Sequence, residues 1–235
     1  MTVELSIADG VATIALNRPE VRNALNFEMC NALVAAAKEV SQKNVHVIFI
    51  RGNGPAFCGG ADLNERKGKS EAWIRERRMS AFAAYGAIEA LPMPCVALVH
   101  GAVVGSGVEI AAACDFIVAT PDATFRTPEA QRGTVGATQR LPRILGKRLA
   151  KDMMFTGRAL TAPEARDAGL VSRMGDLDAE KRAIAEVILK APLLALKLAK
   201  RTIDRGVELD RQGALQAEIE AIEEQFASGQ WMGKS

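Results

Sequence analysis

The sequence predicts an α/β protein whose mainly parallel sheet is followed by a C-terminal helical subdomain. As far as residue 119, short apolar runs typical of buried strands alternate with helical stretches, which is the pattern of strands joined by helical crossovers. From Gln139 onward the apolar spacing is helical only. No stretch rich in Gly, Ser or Pro marks an independent second domain. We therefore describe residues 1–180 as a core and residues 181–235 as a helical subdomain of it. We expect this subdomain to pack against the core or, as we favour, to take part in oligomerisation.

Composition and charge exclude several classes of protein. The 235 residues are 49% hydrophobic and 25% charged, so the chain can bury a sizeable core and is neither disordered nor collagen-like. Lys and Arg number 30 and Asp and Glu 28, which leaves a net charge of +2. This balance argues against a nucleic-acid coat and a polybasic membrane anchor. We therefore expect no nucleic-acid or membrane partner, but small molecules or other protein surfaces.

Cysteine usage and the N-terminal sequence favour a cytoplasmic protein. The 4 cysteines are scattered without a CxxC pair and there are only 2 histidines, which fits neither a disulfide framework nor a common zinc site. No metal ligand is therefore predicted. The N-terminus alternates and carries acidic residues, and no run of about 18 apolar residues occurs. We expect neither an export signal nor a membrane span.

The first elements follow from local patterns. Alternating apolar residues on both sides of Asp9-Gly10 predict a hairpin of two antiparallel strands. Asn26 can cap a helix that continues to about Val40 with one apolar face. The apolar run Val45–Ile50 then predicts a buried strand.

Two further units repeat the strand–loop–helix pattern. The glycine-rich loop Gly52–Gly60 and the helical stretch Glu71–Ala90 lead to a strand at Cys95–Val99. The next unit is predicted as a loop, a short helix and a strand, at Gly101–Gly107, Val108–Cys114 and Phe116–Ala119. The helices expected after it are Lys147–Thr156, Ala162–Ala168, Leu177–Lys190, Leu193–Arg205 and Leu209–Ala227. In such a sheet, ligands bind at the loops that follow the strands.

Two glycine-rich loops are the most informative motifs, at Gly52–Asp62 and His100–Glu109. The second lacks the third glycine of a GxGxxG dinucleotide motif, and neither continues into the GK[ST] of a P-loop. Gly105-Ser106-Gly107 precedes a short helix, whose unpaired N–H groups and positive dipole end could stabilise an oxyanion. A second N–H near Gly59 would complete such a hole. Alternatively, these glycines only form tight turns.

Glu109 and Glu129 are the candidate acid–base pair. Glu109 lies in an otherwise apolar run, where a carboxylate is costly unless it is paired, hydrogen-bonded or functional. Glu129 follows Pro128 at a predicted join between a loop and a helix, where capping is the simpler role. Spacing alone leaves both alternatives open for each residue.

Five blocks of the sequence together resemble the enoyl-CoA hydratase/isomerase (crotonase) superfamily. They cover nearly the whole chain and are NRPEVRNALN, AFCGGADL, HGAVVGSGVEIAAACD, FRTPEAQRG and TAPEARDAGLV. The resemblance implies a crotonase-like spiral of ββα turns with C-terminal helices, assembled as a homotrimer or a dimer of trimers. It also implies that the core binds an acyl-CoA thioester. Coenzyme A then arrives as part of the substrate, and no separate cofactor is expected.

The same resemblance assigns roles to individual residues. It places the two N–H donors of an oxyanion hole at Gly59 and Ser106, and two water-activating glutamates at Glu109 and Glu129. In the implied reaction the hole stabilises an enolate, Glu109 takes a proton from water and Glu129 supplies one to C2. Contacts with coenzyme A and the acyl group are expected from Arg22, Ala24, Leu25, Gly59, Gly60, Ala61, Asp62, Leu63 and Ser106.

Enoyl-CoA hydratase is the activity that the resemblance favours, because both glutamates are present. A Δ3-Δ2-enoyl-CoA isomerase, which would rely on Glu129, is the nearest alternative, and another acyl-CoA reaction could use the same hole. An acyl-CoA-binding pseudoenzyme is the non-catalytic alternative. RNA binding through Arg75, Arg77 and Arg78 is disfavoured, because these residues alternate with acidic ones as on a solvated helix face.

Two features of the sequence bear on the shape of the acyl pocket without determining it. The segment Gly133–Arg140 resembles a family stretch that is a few residues longer, and it follows Glu129 closely enough to shift that carboxyl group. Trp73, Phe82 and Tyr85 either line the acyl pocket or pack the helix on which they lie.

Overall fold

Two sheets and the helices around them make up residues 1–229, the part of the chain that the computed structural model describes. The strands in this part are β1 (Val3–Ala8), β2 (Val11–Leu16), β3 (Val47–Gly52), β4 (Cys95–Val99), β5 (Ala102–Val104), β6 (Phe116–Ala119), β7 (Thr124–Arg126), β8 (Ala159–Thr161) and β9 (Arg173–Met174). The α-helices are α1 (Phe27–Ser41), α2 (Glu71–Glu89), α3 (Ser106–Ala112), α4 (Arg140–Thr156), α5 (Ala162–Asp167), α6 (Leu177–Leu189), α7 (Leu193–Gly206) and α8 (Arg211–Ala227).

The larger sheet has the order β1-β2-β3-β4-β6-β9. Its β1–β2 pair is antiparallel and its other neighbouring pairs are parallel. The smaller sheet has the order β5-β7-β8, with β5 and β7 parallel and β7 and β8 antiparallel. The predicted α/β class with a mainly parallel sheet is confirmed.

The elements that the sequence predicts best are those with a strong local pattern, such as a turn or a helix cap. β1 and β2 pair around Asp9-Gly10, where both residues have positive φ, as a tight hairpin turn requires. The side chain of Asn26 accepts a hydrogen bond from the N–H of Met29 at 2.9 Å and caps α1 as expected. β4 and β6 have the predicted bounds, and α2 begins at the predicted Glu71.

Short strands account for most of the differences from the sequence prediction. β5 lies within Gly101–Gly107, which we predicted as a loop, and β7 was not predicted. β8 and β9 lie after Gln139, so the prediction that this region is helical only is wrong. These strands have 2 or 3 residues each, too few to show alternation. They are defined by partners distant in the chain.

Two helix starts also differ. α3 begins at Ser106 instead of Val108, so the Gly-Ser-Gly motif forms the helix start instead of a preceding loop. α4 begins at Arg140 instead of Lys147, and a kink at Gly146, where φ is 72°, divides it. The pattern after this kink is the part that the sequence prediction captured.

The central strands are buried on both faces, as strands of a covered parallel sheet are. Ile48 and Ile50 of β3 join the cluster that contains the buried residues of α1 and α2. Phe49 of β3 and Leu98 of β4 point the other way and pack with Ile184 of α6. Helices thus cover both sides of the sheet, and its loops are left to build a site.

The C-terminal helices form a pair. Ion pairs between Arg201 and Glu224 and between Arg205 and Glu220 join α7 to α8. The predicted boundary between residues 180 and 181 falls inside α6, and residues 230–235 of the predicted subdomain lie outside the described part. The division into two parts stays a prediction.

Within residues 1–229, no helix combines the length and the apolar character needed to cross a membrane.

Candidate active site

The two glycine-rich loops lie side by side because their backbones pair as strands do. The N–H of Cys58 donates to the carbonyl of Ala102 at 3.2 Å, and the N–H of Val104 donates to the carbonyl of Cys58 at 2.9 Å. α3 begins directly after this pairing, with Gly107 in its first turn. A Cβ on Gly107 would lie 2.5 Å from the carbonyl oxygen of Cys58, so only glycine permits this approach. The start of α3 is thereby held against the first loop.

The predicted oxyanion donor in the first loop is wrong. The N–H of Gly59 donates to the carbonyl of Arg22 at 2.8 Å. A group that already has a backbone acceptor is not free to bind a substrate oxygen. Gly59 therefore helps to hold the first loop in place.

Ala61 offers the N–H group that Gly59 does not. It forms a parallel bridge with Leu25, whose N–H donates to the carbonyl of Gly60 at 2.8 Å and whose carbonyl accepts from Asp62 at 2.9 Å. In this pattern the N–H of Ala61 points away from Leu25. It has no hydrogen-bond acceptor among the residues that the structure describes, and Ala61 lines a cavity together with Ser106.

Ser106 supplies a second N–H group to the same cavity. It is the first residue of α3, and the first N–H groups of a helix have no partner within it. The preceding Gly105 has φ 50°, and its N–H donates to the carbonyl of Arg126 at 2.8 Å. Ala61 and Ser106 therefore present two N–H groups to one cavity, although α3 is short and its dipole accordingly small.

The carboxylate of Glu109 is held by two donors. Its Oε1 accepts from the N–H of Ala137 at 2.6 Å, and its Oε2 accepts from Arg140 at 3.1 Å. The side chain is only 8% exposed, and Arg140 also pairs with Glu89 at 2.6 Å. These bonds offset the free-energy cost of burying a carboxylate in the apolar run of α3.

Glu129 has a contrasting environment. Its Oε2 is buried and has no hydrogen-bond partner within the described residues. Burial raises the pKa of this carboxyl group, and the negative charge of Glu109 adds to the rise, although Arg132 and Arg78 oppose it. A Cβ on Gly105 would lie 2.6 Å from Oε1 of Glu129, so the carboxyl group lies directly beside the start of α3. Glu129 is thus suited to hold a proton that it can donate.

A cavity of about 310 Å³ joins these groups. The predicted site residues that line it are Gly60, Ala61, Leu63, Ser106, Glu109 and Glu129.

Of the three aromatic residues on α2, Phe82 and Tyr85 line the cavity, with ring centroids 6.1 Å apart. Trp73 does not; it packs edge-on against Phe27 instead. Tyr85 is almost fully buried, which raises the pKa of its hydroxyl group, and this hydroxyl faces Ser106.

The other predicted contact residues do not line this cavity: Arg22, Ala24, Leu25, Gly59 and Asp62. Several of them fix the first loop. Arg18 donates to the carbonyl of Ala24 and pairs with the carboxylate of Asp62 at 3.0 Å. The side chain of Arg22 is exposed, and φ is 53° at this residue. Their contact with coenzyme A stays a prediction.

The sequence pattern did not indicate the arginines of the site. Arg77 was predicted on a solvated face but is 2% exposed, because it is bonded to Glu65 and to the carbonyl of Leu25. Arg66, Arg78 and Arg132 line the cavity, and we call these three residues the arginine cluster. The alternation of acidic and basic residues on α2 predicts a solvent-exposed helix face. The partners Glu65 and Leu25, both outside the helix, explain why Arg77 is buried.

Comparison with known proteins places the chain in a family. Residues 6–233 match the sequence model of the family described as enoyl-CoA hydratase/isomerase. A human protein named enoyl-CoA hydratase domain-containing protein 2, mitochondrial, is 39% identical over 213 residues, which are 86% of this chain and 73% of that protein. The chain therefore belongs to the enoyl-CoA hydratase/isomerase family.

Solved structures agree with this assignment. The crystal structure of an enoyl-CoA hydratase from Bacillus anthracis is similar with a TM-score of 0.91 and 32% identity, over 95% of this chain and 90% of that one. An enoyl-CoA hydratase from Mycobacterium smegmatis gives a TM-score of 0.91 and 31% identity over the same shares of the two chains. The crotonase-like fold that the sequence motifs imply is confirmed.

Proposed function

We propose that this chain is an enoyl-CoA hydratase that adds water to the 2,3 double bond of a 2-enoyl-CoA. The observation that carries the proposal is the contrast between two glutamates in one cavity. Glu109 is a hydrogen-bonded carboxylate, whereas Glu129 is a buried carboxyl group with a raised pKa. Hydration needs one group that accepts a proton and one that donates it, and environments that differ in this way support that division of roles.

In the proposed reaction the N–H groups of Ala61 and Ser106 bind the thioester oxygen. Glu109 accepts a proton from water as the water oxygen bonds to C3, and the electrons of the double bond move into an enolate. The two N–H groups stabilise the negative charge on its oxygen. Glu129 then donates its proton to C2, and a proton passes from Glu109 to Glu129, directly or through solvent, to restore both groups.

One observation supports a second candidate, the Δ3-Δ2-enoyl-CoA isomerase. Both oxygens of Glu109 already accept hydrogen bonds, from Ala137 and Arg140. If those bonds keep Glu109 from activating water, Glu129 is the remaining carboxyl group and could move a proton between C2 and C4 alone. The same two N–H groups would stabilise the dienolate.

The ultraviolet absorbance of the conjugated enoyl thioester separates these activities. We expect purified protein to remove this absorbance from crotonyl-CoA, longer-chain or aromatic 2-enoyl-CoAs. A gain of absorbance from 3-enoyl-CoAs, without hydration of 2-enoyl-CoAs, would replace the hydratase with the isomerase. Silence in both assays together with tight binding of an acyl-CoA would overturn the enzymatic proposal in favour of binding without turnover.

Coenzyme A enters this reaction as part of the substrate, so the proposal includes no separate cofactor. Leu63 lines the cavity and is 45% exposed, which supports a contact with the pantetheine arm at the cavity mouth. The exposed guanidinium group of Arg22 is proposed to reach a phosphate. The cytoplasmic location stays a prediction.

A further inference from the structure

The arginine cluster places three positive charges in the cavity without a matching negative charge. Arg66, Arg78 and Arg132 line the cavity that also contains the two glutamates. Over residues 1–229, none of the three forms an ion pair with a carboxylate. Of the nearby acids, Glu65 pairs with Arg77 and Glu109 pairs with Arg140. Glu129, the remaining acid of this cavity, forms no ion pair within the described residues, and burial raises the pKa of its carboxyl group, which favours the neutral form. The cavity therefore has unbalanced positive charge.

Arg66 is not simply a solvated surface residue. Its Nε is shielded from solvent and has no hydrogen-bond partner in the described part of the chain. Burial lowers the pKa of its guanidinium group, and the positive charges of Arg77 and Arg78 lower it further. Arg78 donates to the carbonyl of Val135, which fixes its guanidinium group at the cavity wall. A buried donor beside like charges is costly unless a ligand accepts from it.

We propose that the arginine cluster binds a carboxylate carried by the acyl group. The substrate would then be the CoA thioester of an unsaturated dicarboxylic acid, an inference that rests on the proposed function. A carboxylate matches the planar, forked donors of a guanidinium group. Phe82 and Ala81 line the same cavity and would contact the hydrocarbon between the thioester and this carboxylate.

The phosphates of coenzyme A are the other anionic groups of such a substrate. The whole pantetheine arm separates them from the thioester. The arginine cluster shares a cavity of about 310 Å³ with Ala61 and Ser106, which are proposed to bind the thioester oxygen. A cavity of this size is at the lower end for small-molecule sites, with room for the acyl group and the adjoining end of the arm at its mouth but not for the nucleotide. The anion near the arginine cluster is therefore on the acyl side.

Binding of saturated analogues tests this inference without requiring turnover. We compare glutaryl-CoA with its terminal amide, which has the same shape but no charge, by titration calorimetry. The protein is expected to bind glutaryl-CoA about 10- to 100-fold more tightly, as charged hydrogen bonds typically provide. Arg66→Gln should remove most of this preference and leave the affinity for the amide unchanged. The unchanged affinity for the amide would also show that the variant is folded. Arg75→Gln is the matched control, because Arg75 is 77% exposed on α2 and does not line the cavity.

Two outcomes would overturn the inference. One is equal binding of the acid and the amide by the unaltered protein. The other is an equal loss of affinity for glutaryl-CoA and for its amide in Arg66→Gln. If this loss disappears when pantetheine thioesters replace the CoA thioesters, the arginine cluster binds the phosphates instead. Selective binding of glutaryl-CoA without hydration of any 2-enoyl-CoA would support the carboxylate site while overturning the hydratase. Hydration without selectivity would do the reverse.

Discussion

At the scale of single residues, the proposed reaction depends on two glutamates in different surroundings. Glu129→Gln keeps the shape of the side chain but removes the proton that the proposed reaction delivers to C2. We expect kcat for hydration to fall on the order of 10²- to 10⁴-fold with little change in the Kd of a saturated acyl-CoA. Glu109→Gln should also lower kcat by orders of magnitude. Glu76→Gln, an exposed position on α2, is the control.

A normal rate of hydration in both glutamine variants would contradict the assignment of the two glutamates. Loss of binding together with loss of rate would instead indicate that the cavity had been disrupted. Stopped assays of product and calorimetric Kd values distinguish these results.

The raised pKa of Glu129 predicts a pH dependence with a definite sign. A carboxyl group whose pKa is raised by burial stays protonated to higher pH than an exposed one, and only the protonated form can donate to C2. We therefore expect kcat/KM for hydration to decrease as the pH rises through this pKa. The decrease should be absent from the residual activity of Glu129→Gln. A rate that instead increases over the same pH range would identify Glu129 as a base, as in an isomerase.

At the scale of elements, the start of α3 depends on its contact with the first glycine-rich loop. Gly107→Ala would place a Cβ 2.5 Å from the carbonyl oxygen of Cys58 and push the helix away from it. We expect a loss of about 1–3 kcal/mol in the free energy of unfolding, measured by urea denaturation, together with a lower kcat. Gly86→Ala on α2 is the control, because its added Cβ would meet no atom from outside the surrounding helix backbone within 4 Å. It should raise stability by about 0.5–1 kcal/mol. Equal stability of the two variants would mean that the contact is dispensable.

The same elements show what a sequence can predict. The hairpin at Asp9-Gly10, the cap at Asn26 and the long buried strands were predictable, because each is determined by neighbouring residues. The sequence motifs imply an oxyanion donor at Gly59, but the N–H of Gly59 is bonded to Arg22, whereas the bridge between Leu25 and Ala61 leaves the N–H of Ala61 without an acceptor in the described residues. Such pairings join segments that are distant in sequence, and a local pattern does not contain them.

At the scale of the whole molecule, the site is assembled from segments spread over most of the core. The first loop, α2, α3 and the segment after β7 all line one cavity. The pair Glu109 and Arg140 shows the same principle, since an acid in an apolar run could be noticed but its partner, 31 residues away, could not. The arginine cluster was missed for the same reason. Charge balance in a cavity becomes visible only when the fold brings these segments together.

The assembly state is the last prediction, and it concerns the surface of the C-terminal helices. The sequence motifs imply a homotrimer or a dimer of trimers. Ile203 on α7 and Val207, directly after its last residue, are 66% and 75% exposed. They line an apolar groove with Leu215 of α8, which is 58% exposed. Contiguous exposed apolar surface of this kind is typical of an interface. We therefore expect light scattering after gel filtration to give the mass of a trimer or a hexamer.

Replacing both Ile203 and Val207 by Glu should shift this mass towards the monomer, because association would bury two unpaired charges. The far-ultraviolet circular dichroism should stay unchanged, since both side chains already face solvent in the single chain. Lys43→Glu, at an exposed position after α1, is the control and should leave the assembly intact. A monomeric unaltered protein would contradict the predicted assembly. An oligomer that tolerates both glutamates would move the interface away from α7, to another face of the molecule.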